Sequence, residues 1–147
     1  MTATTPQSHE KTKIRGTIET RAKAIRDKNP EAVRATFSPD TVGYFIEPPL
    51  QQSIQEEDLE GWFTTWSGPI GYETGKLEIA IGGDIAYAHC LSHLTGPRTD
   101  DDDTDVWLRE TLCFRRVNQQ WLITHIHASV PMLMDGSNKA ATNLKPN

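Results

Sequence analysis

The sequence predicts an α+β domain in which three helices come first and an antiparallel sheet follows. The N-terminal part places apolar residues at helical spacing, as in Ile14, Ile18, Ala22 and Ile25. The second half alternates instead, because most of the even positions between residues 106 and 130 are apolar. These positions are Val106, Leu108, Leu112, Phe114, Leu122, Ile126 and Val130. A change from helical period to a period of two indicates a helical layer followed by a sheet.

Turn and cap signals bound the three helices. The first covers residues 10–28 and stops at Asn29-Pro30, where Asn29 can cap a short second helix that carries Phe37. Ser53 and Glu56 form a capping-box pattern for the third helix. Its inner face is aromatic and carries Leu59, Trp62, Phe63 and Trp66.

Five strands are expected. A run at 41–47 ends at Pro48-Pro49, which cannot donate to a ladder, so it should be a short edge strand. The remaining four should form an antiparallel meander. Two of them, at 73–81 and 85–95, flank the turn Gly82-Gly83-Asp84, and two lie within 106–130.

Length and charge bound the class of protein. A chain of 147 residues fits one domain, which we place at 10–133, between a disordered tail at 1–9 and a polar tail at 134–147. The net charge is −5, and the 15 Lys and Arg form no basic stripe, which argues against a nucleic-acid partner. The first nine residues lack a signal-peptide pattern, and no apolar run approaches the roughly 18 residues of a membrane span. We therefore expect a cytoplasmic protein with no membrane partner.

Glu110 is the one carboxylate in the apolar stripe of the last two strands. A buried carboxylate is costly unless it is paired or used. If Thr95 pairs near Val106, His89 lies across from Leu112 and His93 across from Leu108, so both histidines share the face of Glu110.

The last hairpin has two alternatives. A two-residue loop at Asn118-Gln119 would place the apolar face of one strand beside the histidine face of the other. A three-residue loop with a bulge keeps apolar beside apolar, and we predict it, with Gln119 in the left-handed position.

The two faces of the sheet differ in chemistry. Only the Glu110 face is apolar enough to receive the stripes of the first and third helices. The opposite face carries Trp107, Arg109, His125 and His127, a mixture that suits a homodimer interface. If the faces are inverted, those four residues become a pocket for an anionic ligand. His125 and His127 could chelate a metal, but the further ligands of such a pattern are absent, and we expect neither metal nor cofactor.

Several short motifs carry a family resemblance over residues 10–133. They include Phe37-Ser38-Pro39-Asp40, Pro48-Pro49-Leu50, Gly82-Gly83-Asp84, Trp107-Leu108-Arg109 and Trp121-Leu122-Ile123 with His125-Ile126-His127. In these the chain resembles the nuclear transport factor 2-like superfamily, which includes ketosteroid isomerase and the SnoaL-like polyketide cyclases. The histidine strand is also similar to that of the calcium/calmodulin-dependent kinase association domain. The resemblance implies a cone-shaped, cystatin-like fold with the helices on a curved, mostly antiparallel sheet.

The resemblance also implies where a catalytic base should lie. Isomerase-like members carry a carboxylate at the end of the first strand and a protonated acid on a later strand. Here the strand-end position falls on Phe45 or Glu47, of which only Glu47 can take a proton, and the later acid corresponds to Leu108. Glu110, two residues on, could replace that acid.

The candidate site therefore combines Glu47, Glu110 and His89 as catalytic residues. The expected pocket wall consists of Phe45, Trp62, Trp66, His93, Leu108, Leu112 and Ile126. One hypothesis for the function is a cofactor-independent isomerase or cyclase that acts on a small hydrophobic carbonyl compound. The other is a ligand-binding or assembly domain without chemistry, in which Glu110 only pairs with His89 or His93 in a filled core.

Overall fold

The computed structural model describes residues 6–100 and 102–147. They form three helices and five strands, with the first strand between the second and third helices. The elements are α1 (Pro6–Arg26), α2 (Pro30–Arg34), β1 (Phe37–Tyr44), α3 (Leu59–Thr64), β2 (Gly71–Gly82), β3 (Ile85–Gly96), β4 (Thr104–Val117) and β5 (Gln120–Ser129). The predicted α+β class is confirmed. No helix in the described ranges is both long and apolar enough to cross a bilayer.

The five strands form one sheet in the order β1-β5-β4-β3-β2. Strands β2 to β5 make the predicted antiparallel meander, since each pairs antiparallel with the next. Strand β1 is the predicted edge strand, and it pairs with β5 in parallel. It begins earlier than the sequence pattern suggested, because Phe37 is its first residue and not part of the second helix.

The helix boundaries follow from their caps. The side chain of Asn29 accepts a hydrogen bond from the amide of Ala32, as predicted for the cap of α2. Helix α3 starts later than predicted, because Asp58 caps it by accepting from the amide of Gly61 at 3.0 Å. The expected cap, Ser53, instead accepts from the amide of Gln55 within a separate turn.

The pairing of β3 with β4 differs by one residue from the prediction. Thr95 lies opposite Asp105, His89 opposite Thr111 and His93 opposite Trp107. Side chains alternate between the faces of a strand, so this shift moves both histidines away from the face of Glu110. The residues of β3 that share that face are Ala88, Cys90, Ser92 and Leu94, which are buried.

The last hairpin also departs from the prediction. It has a two-residue loop, in which Asn118 and Gln119 both have positive φ angles of 50° and 66°. Gln119 is therefore left-handed, as predicted, but the three-residue loop is wrong. The register shift lies farther along, between Cys113 and Phe114, and it keeps apolar side chains on one face by a different route.

The helices cover the Glu110 face of the sheet, as expected. The buried stripe of α1 consists of Ile14, Ile18, Ala22 and Ile25, and α3 contributes Leu59 and Phe63. They pack over an apolar sheet face that includes Leu112, Phe114, Ile123 and Ile126. Burial of these side chains is the main source of stability for the layer pair.

The two ends of the described chain pack against the domain. Helix α1 includes residues 6–9, which the sequence pattern assigned to a tail, and the rest of that tail lies outside the described residues. After β5, Ala141 is buried and its amide donates to the carbonyl of Pro131 at 2.7 Å. Lys76 donates to the carbonyl of Asn147 at 2.9 Å, which fixes the last residue to β2.

Candidate functional site

A cavity of about 280 Å³ lies between α1, α3 and the ends of the sheet strands. Its wall is mostly apolar and includes Ile25, Val33, Ile54, Leu59, Leu94, Val106 and Leu108. Three groups of polar side chains interrupt this wall: Arg21, Tyr72 and Glu110 form the first, Glu47 and Glu57 form the second, and Arg98 and Thr104 form the third. A small apolar cavity with a few converging polar groups is the usual form of a ligand site.

The first polar group is built around Glu110, whose side chain is only 2% exposed. Oε1 of Glu110 accepts a short hydrogen bond from the hydroxyl of Ser92. Oε2 lies 3.4 Å from Nη1 of Arg21, and the same Nη1 donates to the hydroxyl of Tyr72 at 3.3 Å. The buried carboxylate is thus paired, but with Arg21 and Ser92 and not with His89 or His93.

The pairing of Glu110 depends on three neighbouring strands and the first helix. Ser92 and Glu110 lie on the core face of β3 and β4, Tyr72 lies on β2, and Arg21 reaches over from α1. Burial raises the pKa of Tyr72, and the adjacent Glu110 raises it further, so the phenol stays protonated. Burial likewise raises the pKa of Cys90 to about 11, so this thiol is not a nucleophile at neutral pH.

The second polar group lies at the mouth of the cavity. Glu47 follows β1 and is exposed, whereas Glu57 precedes α3 and is half-buried. Burial, a hydrogen bond to the carboxyl group of Glu47 and the charge of Glu47 raise the pKa of Glu57 to about 8. Two carboxyl groups that share one proton can supply a base and an acid at the same pH.

The backbone around Glu57 is held in place by Arg34. Its Nη2 donates to the carbonyl of Glu57 at 3.0 Å, and its two terminal nitrogens bind both oxygens of Glu60 at 2.7 and 2.9 Å. This bidentate contact lowers the pKa of Glu60 to about 2. The backbone of Glu57 is therefore held by the Arg34–Glu60 ion pair, and Glu57 borders the cavity.

Comparisons with known proteins agree with this fold. A family model described as a SnoaL-like domain matches residues 14–133. The chain belongs to the SnoaL-like family. No curated protein matches it.

Solved structures resemble the SnoaL-like chain over most of its length. A nuclear transport factor 2-like protein of unknown function from Pseudomonas putida KT2440 is 31% identical, with a TM-score of 0.83, covering 95% of this chain and 98% of that one. A candidate scytalone dehydratase from Novosphingobium aromaticivorans DSM 12444 is 17% identical, with a TM-score of 0.75 and coverage of 94% and 95%. A candidate ketosteroid isomerase from Shewanella frigidimarina NCIMB 400 is 21% identical, with a TM-score of 0.64 and coverage of 78% and 92%. The last two show the fold alone.

The cavity of the SnoaL-like domain brings together five of the residues singled out in the sequence. These are Phe45, Glu47, Trp62, Leu108 and Glu110. Trp66, Leu112 and Ile126 are buried in the core but do not line the cavity, because neighbouring side chains enclose them. His89 and His93 lie on the other face of the sheet, for the reason of register given above.

The sequence reasoning missed Arg21, Tyr72 and Glu57. The sequence alone could not distinguish Arg21 from the other basic residues of the same helix. Tyr72 immediately precedes the strand predicted at 73–81. Nothing in its sequence neighbourhood, which includes Thr74 two positions later, indicates a role in a binding site. Glu57 stands in the acidic run Glu56-Glu57-Asp58, in which nothing but the fold distinguishes an inward side chain from its neighbours.

The outer face of the SnoaL-like sheet has its own contacts. The rings of His93 and Trp107 stack with their centroids 4.4 Å apart, and Nε2 of His93 lies 2.7 Å from a carboxylate oxygen of Asp105. Nδ1 of His125 lies 2.6 Å from the carbonyl oxygen of Val42. Arg109 donates to Ser129 at 3.2 Å within the chain. Within the described residues, these histidines do not join a cluster of three or more metal-binding side chains.

Proposed function

We propose that this protein is a cofactor-independent acid/base enzyme that acts on a small, hydrophobic carbonyl compound. The carrying observation is the Glu47–Glu57 carboxyl pair at the mouth of an apolar cavity, with the pKa of Glu57 raised to about 8. Glu47 is the base, as the resemblance implied. Glu57 replaces Glu110 and His89 as the proton donor.

The change of donor follows from the surroundings of the two earlier candidates. Both oxygens of Glu110 are engaged, by Ser92 and by Arg21, so neither oxygen is free to donate a proton to a ligand. His89 cannot reach the cavity from the outer face. Glu57 is a carboxyl group that keeps its proton at neutral pH and borders the cavity, and these are the properties of a general acid.

The reaction that suits this pair is enolisation. The carboxylate of Glu47 removes a proton from the carbon next to the substrate carbonyl, and Glu57 gives its proton to the carbonyl oxygen, so an enol forms and no charge is left on the substrate. In a β,γ-unsaturated carbonyl compound, Glu47 returns its proton to the γ carbon while the enol hydroxyl gives its proton back to Glu57, and this completes an isomerisation. In a β-hydroxy carbonyl compound, Glu47 gives its proton to the β-hydroxyl group, which leaves as water while the enol hydroxyl gives its proton back to Glu57, and this completes a dehydration. The likeness of the fold to a candidate isomerase and a candidate dehydratase supports both outcomes.

Hydrogen–deuterium exchange in D2O tests the proposal without knowledge of the product. Small cyclic ketones are incubated with the protein, and loss of the α-proton signal is followed by NMR. We expect Glu47→Gln and Glu57→Gln each to slow exchange by about 10²–10⁴-fold, the range of general acid–base catalysis. Glu56→Gln is the matched control, because Glu56 is exposed next to Glu57. Exchange that is unchanged in both variants would contradict the proposal and favour the ligand-binding alternative.

A homodimer through the outer face of the sheet is a second proposal about the same protein. Trp107, Arg109, His125 and His127 share this face with Tyr87, whose side chain is 52% exposed. Aromatic rings, an arginine and histidines in one patch are typical of the core of a subunit interface. The assembly alternative to catalysis would use this same face.

A further inference from the structure

We propose that the guanidinium group of Arg21 binds a carboxylate on the ligand, so that the cavity takes small keto acids. The inference deepens the proposed function, because it names the substrate class of the same cavity. It assigns to Arg21 a binding role that is separate from proton transfer by Glu47 and Glu57.

The hydrogen bonds of Arg21 leave Nη2 of its guanidinium unused. An arginine side chain has five N–H donors. Both hydrogen bonds that Arg21 makes within the described part of the chain leave from Nη1, to Tyr72 and to Glu110. Its Nε is buried and has no partner there. Nε is enclosed by the protein, so Nη2, which makes no hydrogen bond within the described residues, is the nitrogen that is available to an acceptor in the cavity.

The other arginine of the cavity wall provides an internal comparison. Arg98 uses all three of its nitrogens: Nε and Nη2 donate to Thr65 at 3.2 and 2.6 Å, and Nη1 donates to Thr104 at 3.2 Å. Its guanidinium also lies over the ring of Trp66 at 4.2 Å. All three nitrogens of Arg98 thus donate to acceptors of the protein, whereas Arg21 donates from Nη1 alone.

The surroundings of Arg21 hold Nη2 in place. The side chain is 11% exposed, and its guanidinium carbon lies 5.9 Å and 5.4 Å from the ring centroids of Phe37 and Tyr72. A guanidinium fixed by aromatic rings and an ion pair loses little freedom when a ligand binds. Exclusion of water also strengthens its interaction with an anion.

The charge of the guanidinium favours a carboxylate over a neutral carbonyl oxygen. A hydrogen bond between two ionised groups is roughly twice as strong as one between neutral groups. Glu110 is already held by Ser92 and lies on the Nη1 side, so it does not occupy Nη2.

The volume of the cavity limits the rest of the ligand. At about 280 Å³ it lies below the roughly 300–1,000 Å³ of sites for drug-sized molecules. With an apolar wall, it fits a body of about one ring. The substrate class is therefore a keto acid whose carbon skeleton is no larger than a single ring with short substituents.

Calorimetric titration with benzoate and with its neutral counterpart benzamide tests the inference. We expect the wild-type protein to bind benzoate about tenfold more tightly than benzamide, as one charge-assisted contact allows. Glu110→Gln should tighten benzoate binding and leave benzamide unchanged, because Arg21 loses its internal counter-ion. Arg21→Met should abolish the preference for benzoate.

The variants are chosen so that misfolding does not decide the result. Arg21→Met leaves Glu110 buried without its cation, so the double variant Arg21→Met/Glu110→Gln is titrated as well, and it should bind the two probes equally. Equal binding of both probes by the wild-type protein, binding of neither, or weaker benzoate binding by Glu110→Gln overturns the inference. Proton exchange in neutral ketones without a preference for benzoate would leave the proposed function intact and reject only the carboxylate site. A benzoate preference without any proton exchange would support the carboxylate site and reject the proposed function.

Discussion

Nη1 of Arg21 lies 3.4 Å from Oε2 of Glu110, and this contact joins helix α1 to the centre of the sheet inside the cavity. Both side chains are almost fully buried. A buried pair of this kind contributes little net stability compared with an apolar pair, yet loss of one partner is costly because the other charge is left behind. The position of the pair in the cavity wall supports a binding role for Arg21.

The first prediction concerns the stability of this pair. Arg21→Met should lower the free energy of unfolding by about 3–5 kcal/mol, since it leaves the Glu110 carboxylate buried without a cation. Arg21→Met/Glu110→Gln should recover most of that loss. Urea denaturation of the two single variants and the double variant gives the coupling energy. Asp27→Asn at the exposed Lys23–Asp27 pair is the control and should cost less than about 1 kcal/mol. Additive effects of the two buried substitutions would contradict a direct interaction.

The register of β3 and β4 shows what patterning could predict and what it could not. Alternation identified the strands, the buried face of β4 and the lone Glu110, because apolar periodicity is a property of each strand by itself. The pairing of His89 depended on the length of the loop between β3 and β4, which the periodicity of either strand does not determine. A difference of one residue moved His89 and His93 to the outer face.

The second prediction concerns the pH dependence of stability. In the folded protein Glu57 keeps its proton up to about pH 8, whereas its ordinary pKa is 4.5. The folded state therefore holds more protons between these values, and the contribution of Glu57 to stability falls as the pH rises from about 4.5 to 8. Glu57→Gln should remove this slope when urea midpoints are compared at pH 5, 6.5 and 8, and Glu56→Gln should keep it. An identical slope in the wild type and in Glu57→Gln would show that Glu57 titrates normally.

The third prediction follows from the same group during turnover. Glu57 must carry its proton to act as the acid, so the rate of proton exchange should fall as the pH rises through about 8. A pH–rate profile between pH 5 and 10 measures this fall. A rate that keeps rising above pH 9 would assign the proton donor to a different group.

The site residues differ in how well they can be recognised from the sequence, because some depend on contacts between distant segments of the chain. The family resemblance singled out Glu47 from the end of the predicted first strand, and the structure places Glu47 in the cavity wall, shortly after β1 ends at Tyr44. Glu57 acquires its raised pKa from burial and from Glu47, ten positions away along the chain, and it is indistinguishable in sequence from exposed Glu56. Arg21 depends on contacts with β2 and β4, which only the packed fold brings to α1.

The fourth prediction separates the cavity wall from the core. Leu112 is fully buried among other side chains, whereas Leu108 borders the cavity. Leu112→Ala should cost about 3–5 kcal/mol of stability, because it opens a new void. Leu108→Ala should cost less, near 2 kcal/mol, because it extends a space that already exists. Urea denaturation measures both, and an equal or larger loss for Leu108→Ala would indicate that the space around Leu108 is filled.

The fifth prediction tests the proposed dimer through the centre of the outer face. Thr111 is exposed in β4, the middle strand of the sheet, on the same side as Trp107 and Arg109. In a two-fold symmetric interface the same patch meets itself, so Thr111→Glu would bring two new negative charges into one contact region. Light scattering during size-exclusion chromatography should show a dimer for the wild type and a monomer for this variant. Thr12→Glu places the same substitution on the exposed side of α1 and should leave the dimer intact. A dimer that persists with Thr111→Glu would place the subunit contact on another surface, and a wild-type monomer would exclude the interface altogether.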